Sequence, residues 1–387
     1  MTAPRAVRVY FPCTGLGRQR RGFETFTRSC AVALRGEPGL EITVFGGGGP
    51  DSRPDERTVP NAPRDGLTAR AVGALTRRDP YFIEQATFFA GFLPRLVAAP
   101  PDVVYFADLS LGNACWHWRR ISGQRFRLLF YNGGATTKPF TRCDLVQQVS
   151  PEHFDSALAR GERADHQVLL PHGVDVADDF VPPTSAQRAA AKQELGIAPG
   201  RPLLLSVGML DVEVKRMDYV IREVASLGAA RPHLLLAGAT SRQTPEILAL
   251  AREMLGPNDF TARTLSRAEM ALAYRAADAF TLASLREGFG LAMLEALAAG
   301  LPCIVHDTPN TRYLCGPHAK RADLRTGGAL AVRLAAAFAG RGDSQAMCAR
   351  HEWVRSRFSW GALRGRYAEL LRACAAGTRP PWPESAA

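Results

Sequence analysis

Short apolar segments alternate with helical segments along this chain, and the alternation begins twice. The first apolar run is Val7–Cys13, followed by a glycine-containing loop and a helical pattern. The second is Leu203–Val207, followed by Gly208 and a helical pattern that extends to about Leu227. Strands separated by helices favour a parallel sheet with helices on its faces. The sequence therefore predicts two α/β domains of similar build, one after the other.

The chain length and a proline-rich segment indicate where one domain gives way to the next. The chain has 387 residues, and a single domain usually has about 100–200. The acidic segment Asp175–Pro183 is a candidate linker. We predict an N-terminal domain over residues 1–180 and a C-terminal domain over residues 181–363. Residues 50–70 are rich in Pro, Arg and Asp, and this composition predicts a loop.

The charge balance favours anionic partners. The chain has 48 Lys and Arg against 37 Asp and Glu, a net charge of +11. Such a balance favours nucleotide phosphates, anionic lipids or nucleic acid. A surface rich in solvated Arg explains the same charge equally well. No zinc-finger, helix-turn-helix or aromatic-basic ribonucleoprotein motif is evident, so a nucleic-acid partner is not expected.

The cysteines and the hydropathy predict a cytoplasmic protein. None of the eight cysteines forms a C-x-x-C pair, so neither a zinc site nor a redox motif is expected. Scattered thiols suit a reducing compartment. Residues 1–8 lack the charged and apolar regions of a secretory leader, so none is expected, and no apolar run approaches the roughly 18 residues of a membrane span. A peripheral position at the inner membrane face is compatible with the same features.

The segment from Ser284 to Pro302 carries the pattern with most chemical content. A strand ends near Ala283, a loop with glycines follows, and a helix begins near Gly290. Backbone N–H groups and the positive end of a helix dipole at such a strand edge suit phosphate. Glu287 before the helix and Glu295 within it could hold sugar and ribose hydroxyls on either side of a diphosphate. A helix with an acidic first turn, which the macrodipole favours, is the alternative.

This segment resembles the E-x7-E signature of retaining GT-B glycosyltransferases, in particular family 4 (group 1). The similarity includes Glu-Gly-Phe-Gly-Leu and Glu-Ala-Leu-Ala-Ala-Gly-Leu-Pro, and it covers about twenty residues. It extends well over about residues 150–370 and loosely over 1–150. Other segments that resemble the family, in the family's order, are Val149-Ser150-Pro151, Pro171–Asp175, Leu204–Leu210 with Lys215, and Arg357–Trp360.

The resemblance implies the GT-B architecture, two Rossmann-like α/β domains facing a central cleft. It also implies that a helix and tail at residues 364–387 return toward the N-terminal domain. It implies retention of configuration, with the departing phosphate as base on the same face of the sugar. No cofactor and no metal are expected, because a fixed lysine can replace the metal. The expected partners are a nucleotide-sugar donor and an acceptor that the sequence does not identify.

The resemblance also assigns roles to individual residues. Glu287 would contact the transferred sugar, and Lys215 would neutralise the charge that grows on the leaving diphosphate. Glu295 would bind the ribose hydroxyls. Further donor-binding positions are expected at Phe289, Gly290, Leu291, Gly208, Met209, Leu265, Gly17 and Gly22.

Three departures from the family pattern bear on activity. Met209 stands where the family usually has an Arg, and Arg216 or an Arg of the N-terminal domain could replace that charge. Asn132 lies in a strand that carries a His in many relatives, and Asn cannot shuttle a proton. His172 replaces the Asn of an Asn-Gly-Val-Asp element. We predict Asn132 and His172 as possible sugar or acceptor contacts.

Basic residues crowd the first loop and helix, at Arg18, Arg20, Arg21 and Arg28. Arg77-Arg78 and Arg119-Arg120 add to the charge of the N-terminal half. An anionic acceptor or an anionic membrane face would fit these clusters, and a solvated surface is an equal alternative. Two other functions stay open. One is a GT-B phosphorylase, and the other is a degenerate, non-catalytic protein that binds a sugar nucleotide or an anionic surface.

Overall fold

The computed structural model describes residues 5–19, 21–134, 140–176, 180–339 and 342–382. The chain divides into two compact units. The N-terminal unit comprises Met1–Gly173 and Leu363–Ala387, and the C-terminal unit is Val174–Ala362. The sequence had instead placed the division at residues 180/181 and 363/364.

The N-terminal unit is built on a parallel sheet. Its strands within the described residues are β1 (Val7–Cys13), β2 (Leu40–Gly46), β3 (Glu56–Thr58), β4 (Val103–Phe106), β5 (Arg127–Asn132), β6 (Leu145–Gln148) and β7 (Gln167–Leu169). They lie in the order β3-β2-β1-β4-β5-β6-β7. The helices that accompany them are α1 (Gly22–Ala33), α2 (Leu67–Thr76), α3 (Pro80–Ala98), α4 (Leu109–Ser122) and α5 (Pro151–Ala159).

Aromatic side chains fill the core of this unit. Tyr10 on β1 packs edge-on against Phe45 on β2, with ring centroids 4.8 Å apart. Phe45 in turn meets Phe92 of α3 at 4.9 Å. Each ring removes a large apolar area from water, and the tilted arrangement suits the aromatic quadrupole. These contacts fix α3 against the sheet.

The C-terminal unit repeats the design. Its helices are α6 (Ser185–Glu194), α7 (Met217–Ala225), α8 (Thr244–Leu255), α9 (Arg267–Ala276), α10 (Leu291–Ala298), α11 (Pro309–Cys315), α12 (Ala329–Ala339) and α13 (Ser344–Arg357). Its strands are β8 (Leu203–Val207), β9 (His233–Ala237), β10 (Phe260–Arg263), β11 (Ala279–Leu282), β12 (Cys303–His306) and β13 (Ala319–Ala322). They are parallel and lie in the order β10-β9-β8-β11-β12-β13. The predicted pair of parallel α/β domains is therefore confirmed.

The strand order of the C-terminal unit defines where a ligand can bind. The order of strands reverses between β8 and β11, which are direct neighbours and pair at Leu205 and Phe280. In open parallel sheets of this kind, ligands bind at the carboxyl ends of the strands, at the point of reversal. The loops after β8 and β11 are therefore the first place to look for a site.

A buried ion pair joins α6 to the start of β11. Lys192 Nζ lies 2.6 Å from Asp278 Oδ2, and the two side chains are only 4% and 5% exposed. Lys192 also donates to the carbonyl oxygen of Arg201 at 2.8 Å, and the Asp278 carboxylate accepts from the Leu203 amide at 2.9 Å. Both charges are thus paired and hydrogen-bonded, which burial of a charge requires.

The final helix, α14 (Trp360–Ala376), supplies a buried tyrosine to the N-terminal unit. Tyr367 donates to the carbonyl oxygen of Pro171 at 2.8 Å, and it accepts from Gln147 Nε2 at 2.8 Å. Arg364 and Arg372 of the same helix form ion pairs with Glu37, each at 3.1 Å. The segment from Leu363 onward belongs to the N-terminal unit for these reasons.

The predicted loop over residues 50–70 is wrong in part. The segment contains β3, which pairs with β2, and the start of α2 at Leu67. Only Ala69 and Gly73 of α2 are buried. The helix therefore lacks the stripe of large buried residues by which an amphipathic helix is recognised in a sequence.

Candidate functional site

The loop after β8 presents a lysine at the point where the strand order reverses. Gly208 has φ of +154°, and a Cβ there would lie 2.8 Å from the Lys215 Cγ and Cδ atoms. Glycine at this position thus leaves room for the lysine stem. Asp211 Oδ1 accepts from the amides of Val214 and Lys215, each at 2.7 Å. The helix predicted after Gly208 is present but its predicted start is wrong, because the Asp211 carboxylate ties the intervening segment into a loop and α7 begins only at Met217.

Lys215 and Glu287 are brought together by the two loops. The Lys215 Nζ atom lies 2.8 Å from both Glu287 carboxylate oxygens. The side chains are 19% and 18% exposed, so the pair is shielded from water but open to a ligand. The residue predicted to meet the leaving diphosphate and the residue predicted to meet the sugar thus neutralise each other in the free protein.

The loop after β11 leads into the uncapped start of α10. Gly290, the N-cap residue, has φ of +99° and offers no side-chain cap. The first two amides of the helix, those of Leu291 and Ala292, are therefore available to an anion at its positive end, whereas Met293 already donates to the Gly290 carbonyl oxygen at 3.0 Å. Phe289 is buried. The first turn of α10 contains no acidic residue, so a macrodipole preference does not explain the two glutamates.

Glu295 is held by two side chains of α9. Its Oε1 atom lies 2.5 Å from Arg267 Nη1, and its Oε2 atom accepts from the Tyr274 hydroxyl at 3.0 Å. The Arg267 guanidinium also lies over the Phe180 ring, 4.5 Å from its centroid. Tyr274 is fully buried, and burial raises its pKa well above the usual value, so the phenol stays protonated and donates. Glu295 is therefore positioned before any ligand arrives.

Three residues that the sequence analysis missed shape this site. Arg267 and Tyr274 orient Glu295, and Asn310 fixes the loop before α10. Asn310 Nδ2 donates to the carbonyl oxygens of Phe289 at 3.2 Å and of Glu287 at 3.4 Å. The predicted donor-binding position Leu265 lies two residues before Arg267. Asn310 follows β12 at the same edge of the sheet, and that position was the available signal.

Two buried polar atoms at this edge have no hydrogen-bond partner among the described residues. They are Ser284 Oγ, just after β11, and Asp211 Oδ2, in the loop after β8. Native proteins rarely leave buried polar atoms unsatisfied. Their position beside the ion pair and the start of α10 points to a polar ligand at this edge.

The remaining donor-site predictions in this unit lie on the surrounding loops. Met209 is 45% exposed, and Leu265 is buried after β10. Arg216, the expected substitute cation, donates to the carbonyl oxygen of Leu324 at 2.7 Å and lies over the Tyr219 ring at 4.4 Å. In the free protein its guanidinium is thus engaged in contacts within the C-terminal unit. Lys215 is the cation that the structure places against Glu287.

Four predicted residues belong to the N-terminal unit. Gly17 has φ of +94°, and its carbonyl oxygen accepts from the Asp51 amide at 3.0 Å. A Cβ on Gly17 would lie 2.5 Å from Ser52 Oγ, so glycine is required by this close approach. Gly22 is exposed in the first turn of α1. Asn132 and His172 are the other two.

Asn132 ends β5 and is fixed by a neighbouring amide. Its Nδ2 atom donates to Gln148 Oε1 at 2.8 Å, and Gln148 Nε2 donates in turn to Gln167 Oε1 at 2.7 Å. This series of hydrogen bonds leaves Asn132 Oδ1 as a buried acceptor without a partner among the described residues. The geometry is compatible with the predicted contact to a hydroxyl.

His172 is stacked on an aromatic ring and is neutral. Its ring lies 3.9 Å from that of Phe26, with 18° between the planes. Complete burial, with a smaller contribution from His153, lowers the pKa of His172 to about 3. An imidazole of this kind cannot act as a general acid near neutral pH.

We expect this histidine to make the stability of the N-terminal unit depend on pH. An unfolded His titrates near 6.5, so between about pH 6.5 and 3 the unfolded state binds a proton that the folded state does not. Stability therefore falls as the pH falls through this window, by about 2 kcal/mol between pH 7 and 5 from His172 alone. Denaturant unfolding of wild type and of His172→Asn at both pH values measures the effect. The gap between the two proteins should shrink at pH 5, and a gap independent of pH would contradict the assignment.

The arginines of the first loop and helix are largely engaged within the protein. Arg21 pairs with the buried Glu24 at 2.6 Å, and Arg28 pairs with Glu56 at 2.5 Å. Arg18 donates to Asn61 Oδ1 at 2.7 Å. Arg20 lies outside the described residues. Arg119 likewise pairs with Asp144, at 2.5 Å. By contrast, Arg77 and Arg78 at the end of α2 are exposed.

Across the described ranges, no group of three or more His, Cys, Asp or Glu side chains is placed to hold a metal ion. In the same part of the chain, no helix combines the length and the apolar character that a bilayer crossing needs.

Residues 201–340 match the family described as glycosyl transferases group 1. Similar curated proteins are named D-inositol 3-phosphate glycosyltransferase. That of Xylanimonas cellulosilytica is 32% identical over 167 residues, which cover 41% of this chain and 39% of the relative. That of Nocardia farcinica is 33% identical over 191 residues, which cover 45% of this chain and 42% of the relative. The chain thus spans about two fifths of the length of these relatives.

Solved glycosyltransferase structures share the fold over nearly the whole chain. Sucrose-phosphate synthase from Thermosynechococcus elongatus superimposes with a TM-score of 0.76 at 20% identity, covering 96% of this chain and all of that one. HepE of Anabaena in complex with UDP and glucose superimposes with a TM-score of 0.71 at 16% identity, covering 95% of this chain and 100% of that one. The predicted GT-B architecture is confirmed by these likenesses. The predicted resemblance to group 1 is confirmed by the family match.

Proposed function

We propose that this chain, a member of the group 1 glycosyltransferases with the GT-B fold, transfers a sugar from a nucleotide-diphosphate-sugar to an acceptor. One arrangement carries the proposal. The Lys215–Glu287 pair and the pre-positioned Glu295 lie on either side of the uncapped start of α10. A cation, two hydroxyl-binding carboxylates and free amides are the groups that a sugar diphosphate needs. HepE of Anabaena, which shares the fold, has been solved with UDP-glucose.

The chemistry proposed for this site is stabilisation of the departing diphosphate. As the bond from the sugar carbon to the phosphate oxygen breaks, negative charge grows on that oxygen. The Lys215 ammonium and the first amides of α10 face this charge, and fixed charges and dipoles act strongly in a shielded site. We propose that Lys215 supplies the positive charge that a metal ion would otherwise bring.

We propose retention of configuration by attack on the face from which the diphosphate leaves. The acceptor oxygen forms the new bond to the sugar carbon, and the departing phosphate oxygen takes the acceptor's proton. A double displacement would need a free carboxylate nucleophile on the opposite face. Lys215 binds both oxygens of Glu287, which suits hydrogen bonds to sugar hydroxyls better than nucleophilic attack.

We propose an anionic acceptor and a cytoplasmic reaction. The net charge of +11 favours an anionic partner. The curated relatives are named for a phosphorylated inositol, which is such a molecule. All eight cysteines are free thiols, as expected in a reducing compartment.

The thermal stability of the protein with UDP-, GDP-, ADP- and TDP-sugars tests the donor site. A ligand at about 100 times its Kd stabilises the folded state by roughly 2.7 kcal/mol. We expect one nucleotide class to raise the Tm of the wild type. Glu295→Ala should abolish the shift, because the ribose hydroxyls lose their acceptor. Tyr274→Phe should reduce it, because Glu295 loses one of the donors that orient it.

Two controls separate this function from its alternatives. Glu253→Ala removes an exposed carboxylate of the same unit from the last turn of α8, at the opposite end of that helix from the loop after β8, and its shift should match the wild type. A shift that Glu295→Ala retains would refute the assigned ribose site. If no sugar nucleotide shifts the wild type but inorganic phosphate supports sugar release, the protein is a phosphorylase. Donor binding without any release of nucleoside diphosphate would indicate a non-catalytic binding protein.

A further inference from the structure

Helix α2 turns its apolar side chains away from the protein. Ala69 and Gly73 pack inward. Leu67, Ala71 and Leu75 follow one another at four-residue spacing, which places them on one helix face, roughly opposite the buried pair. Leu67 is 85% exposed and Leu75 is 86% exposed. An ordinary surface helix buries such residues and exposes polar ones, so this face is unpartnered within the described structure.

Further apolar and basic groups extend this exposed face. Val72 on α2 and Phe82 on α3 are also exposed large hydrophobic residues. Arg70 lies beside Leu67 on the helix, and Arg77 and Arg78 follow its last turn. The Arg78 guanidinium lies over the Phe82 ring, 5.0 Å from its centroid. We call Leu67, Arg70, Val72, Leu75, Arg77, Arg78 and Phe82 the α2 face.

The charges of the α2 face select its partner. Exposed Asp65 and Asp79 flank the helix, but no Asp or Glu occurs between Gly66 and Arg78, so three arginines outnumber two carboxylates around the apolar residues and the border carries a net positive charge. A symmetric contact with a second copy of the chain would bring the same arginines against each other. An anionic lipid surface offers both an apolar layer for the leucines and negative headgroups for the arginines.

We propose that the α2 face docks on a membrane surface rich in anionic lipid. Leu67 and Leu75 enter the boundary between headgroups and acyl chains, and Arg70, Arg77 and Arg78 contact the headgroup phosphates. This inference does not depend on the proposed sugar transfer, because docking requires neither donor nor acceptor. It identifies α2 as the membrane contact, in place of the arginine cluster around α1, whose described members bind within the protein.

Sedimentation with vesicles tests the proposal on the full chain. Vesicles of phosphatidylcholine alone are compared with vesicles that also contain phosphatidylglycerol. We expect binding to the anionic vesicles that weakens with added salt. Leu67→Ser with Leu75→Ser should weaken binding at least about tenfold, since two apolar anchors are lost. Arg70→Gln with Arg78→Gln should weaken it by about 25-fold, at roughly fivefold per arginine.

A matched control and a second readout keep the outcomes distinct. Val332→Ser removes an exposed apolar residue, 71% accessible, from the C-terminal unit and should leave binding unchanged. In Leu75→Trp, the new indole should shift its fluorescence to the blue on anionic vesicles. The proposal is overturned if the wild type ignores anionic vesicles or if the serine variant binds like the wild type. It is also overturned if the wild type is a dimer that the serine variant dissociates, since a second copy would then cover the face.

Discussion

Lys215→Ala is expected to lower kcat for sugar transfer by about 10²–10³-fold, or roughly 3–4 kcal/mol in the barrier. The variant loses the one ammonium that the structure places against Glu287 at the carboxyl ends of β8 and β11. Because the charge on the diphosphate grows as its bond to the sugar breaks, the loss should appear mainly in kcat. Release of nucleoside diphosphate from the sugar nucleotide that stabilises the protein measures it.

Two comparisons make this expectation specific. Lys320→Ala removes an exposed lysine from β13 of the same unit and should leave kcat at the wild-type value. Lys215→Arg keeps the charge but replaces a compact ammonium by a planar fork, so it should recover part of the rate. If Lys215→Ala retains kcat within about fivefold, Lys215 does not stabilise the leaving group, and the positive charge must come from elsewhere.

Lys192→Met is expected to destabilise the C-terminal unit by about 3–5 kcal/mol, because it leaves the Asp278 carboxylate buried without its cation. The Leu203 amide would remain as a donor to that carboxylate, but it does not neutralise the charge. Denaturant unfolding followed by tryptophan fluorescence measures the loss. The residues of the proposed donor site lie on other loops, so the folded fraction should still bind a sugar nucleotide.

A second substitution shows whether the buried charge is the cause. Asp278→Asn added to Lys192→Met removes the charge and keeps an acceptor for the Leu203 amide, so about half of the lost stability should return. Arg312→Met breaks the exposed pair with Asp307 and should leave the unfolding midpoint near that of the wild type. Equal losses for Lys192→Met and the double variant would mean that packing of the lysine stem, and not charge, dominates.

The parts of the site that could be predicted are those encoded in one continuous segment. Glu287 and Glu295 stand in a strand–loop–helix pattern whose geometry follows from local sequence, and the resemblance to family 4 supplies their roles and that of Lys215. Arg267, Tyr274 and Asn310 act on that segment from α9 and α11, and nothing local records which helices will pack there. Their contributions depend on tertiary contacts, which single-sequence reasoning does not contain.

The surface of the N-terminal unit was harder to predict for a different reason. Sequence rules assume that large apolar residues face a core, and α2 reverses this assumption with Leu67 and Leu75. The basic residues near α1 are equally compatible in sequence with an anionic partner and with a solvated surface, but Arg21 pairs with Glu24 three residues further on, and Arg28 pairs with Glu56 of β3, whose proximity depends on folding. A count of charges therefore overestimates the charge that is free to act.

The division of the chain into units has a consequence for biosynthesis. The C-terminal unit is one uninterrupted piece, whereas the N-terminal unit needs α14, which leaves the ribosome after all of Val174–Ala362. The second unit can therefore complete its fold while the first still lacks Tyr367, the partner of Gln147 and of the Pro171 carbonyl. During that interval the nascent chain exposes the apolar surface of the N-terminal unit that α14 later covers, and a chaperone could bind there. The exposure ends when α14 has been made and packs on that surface.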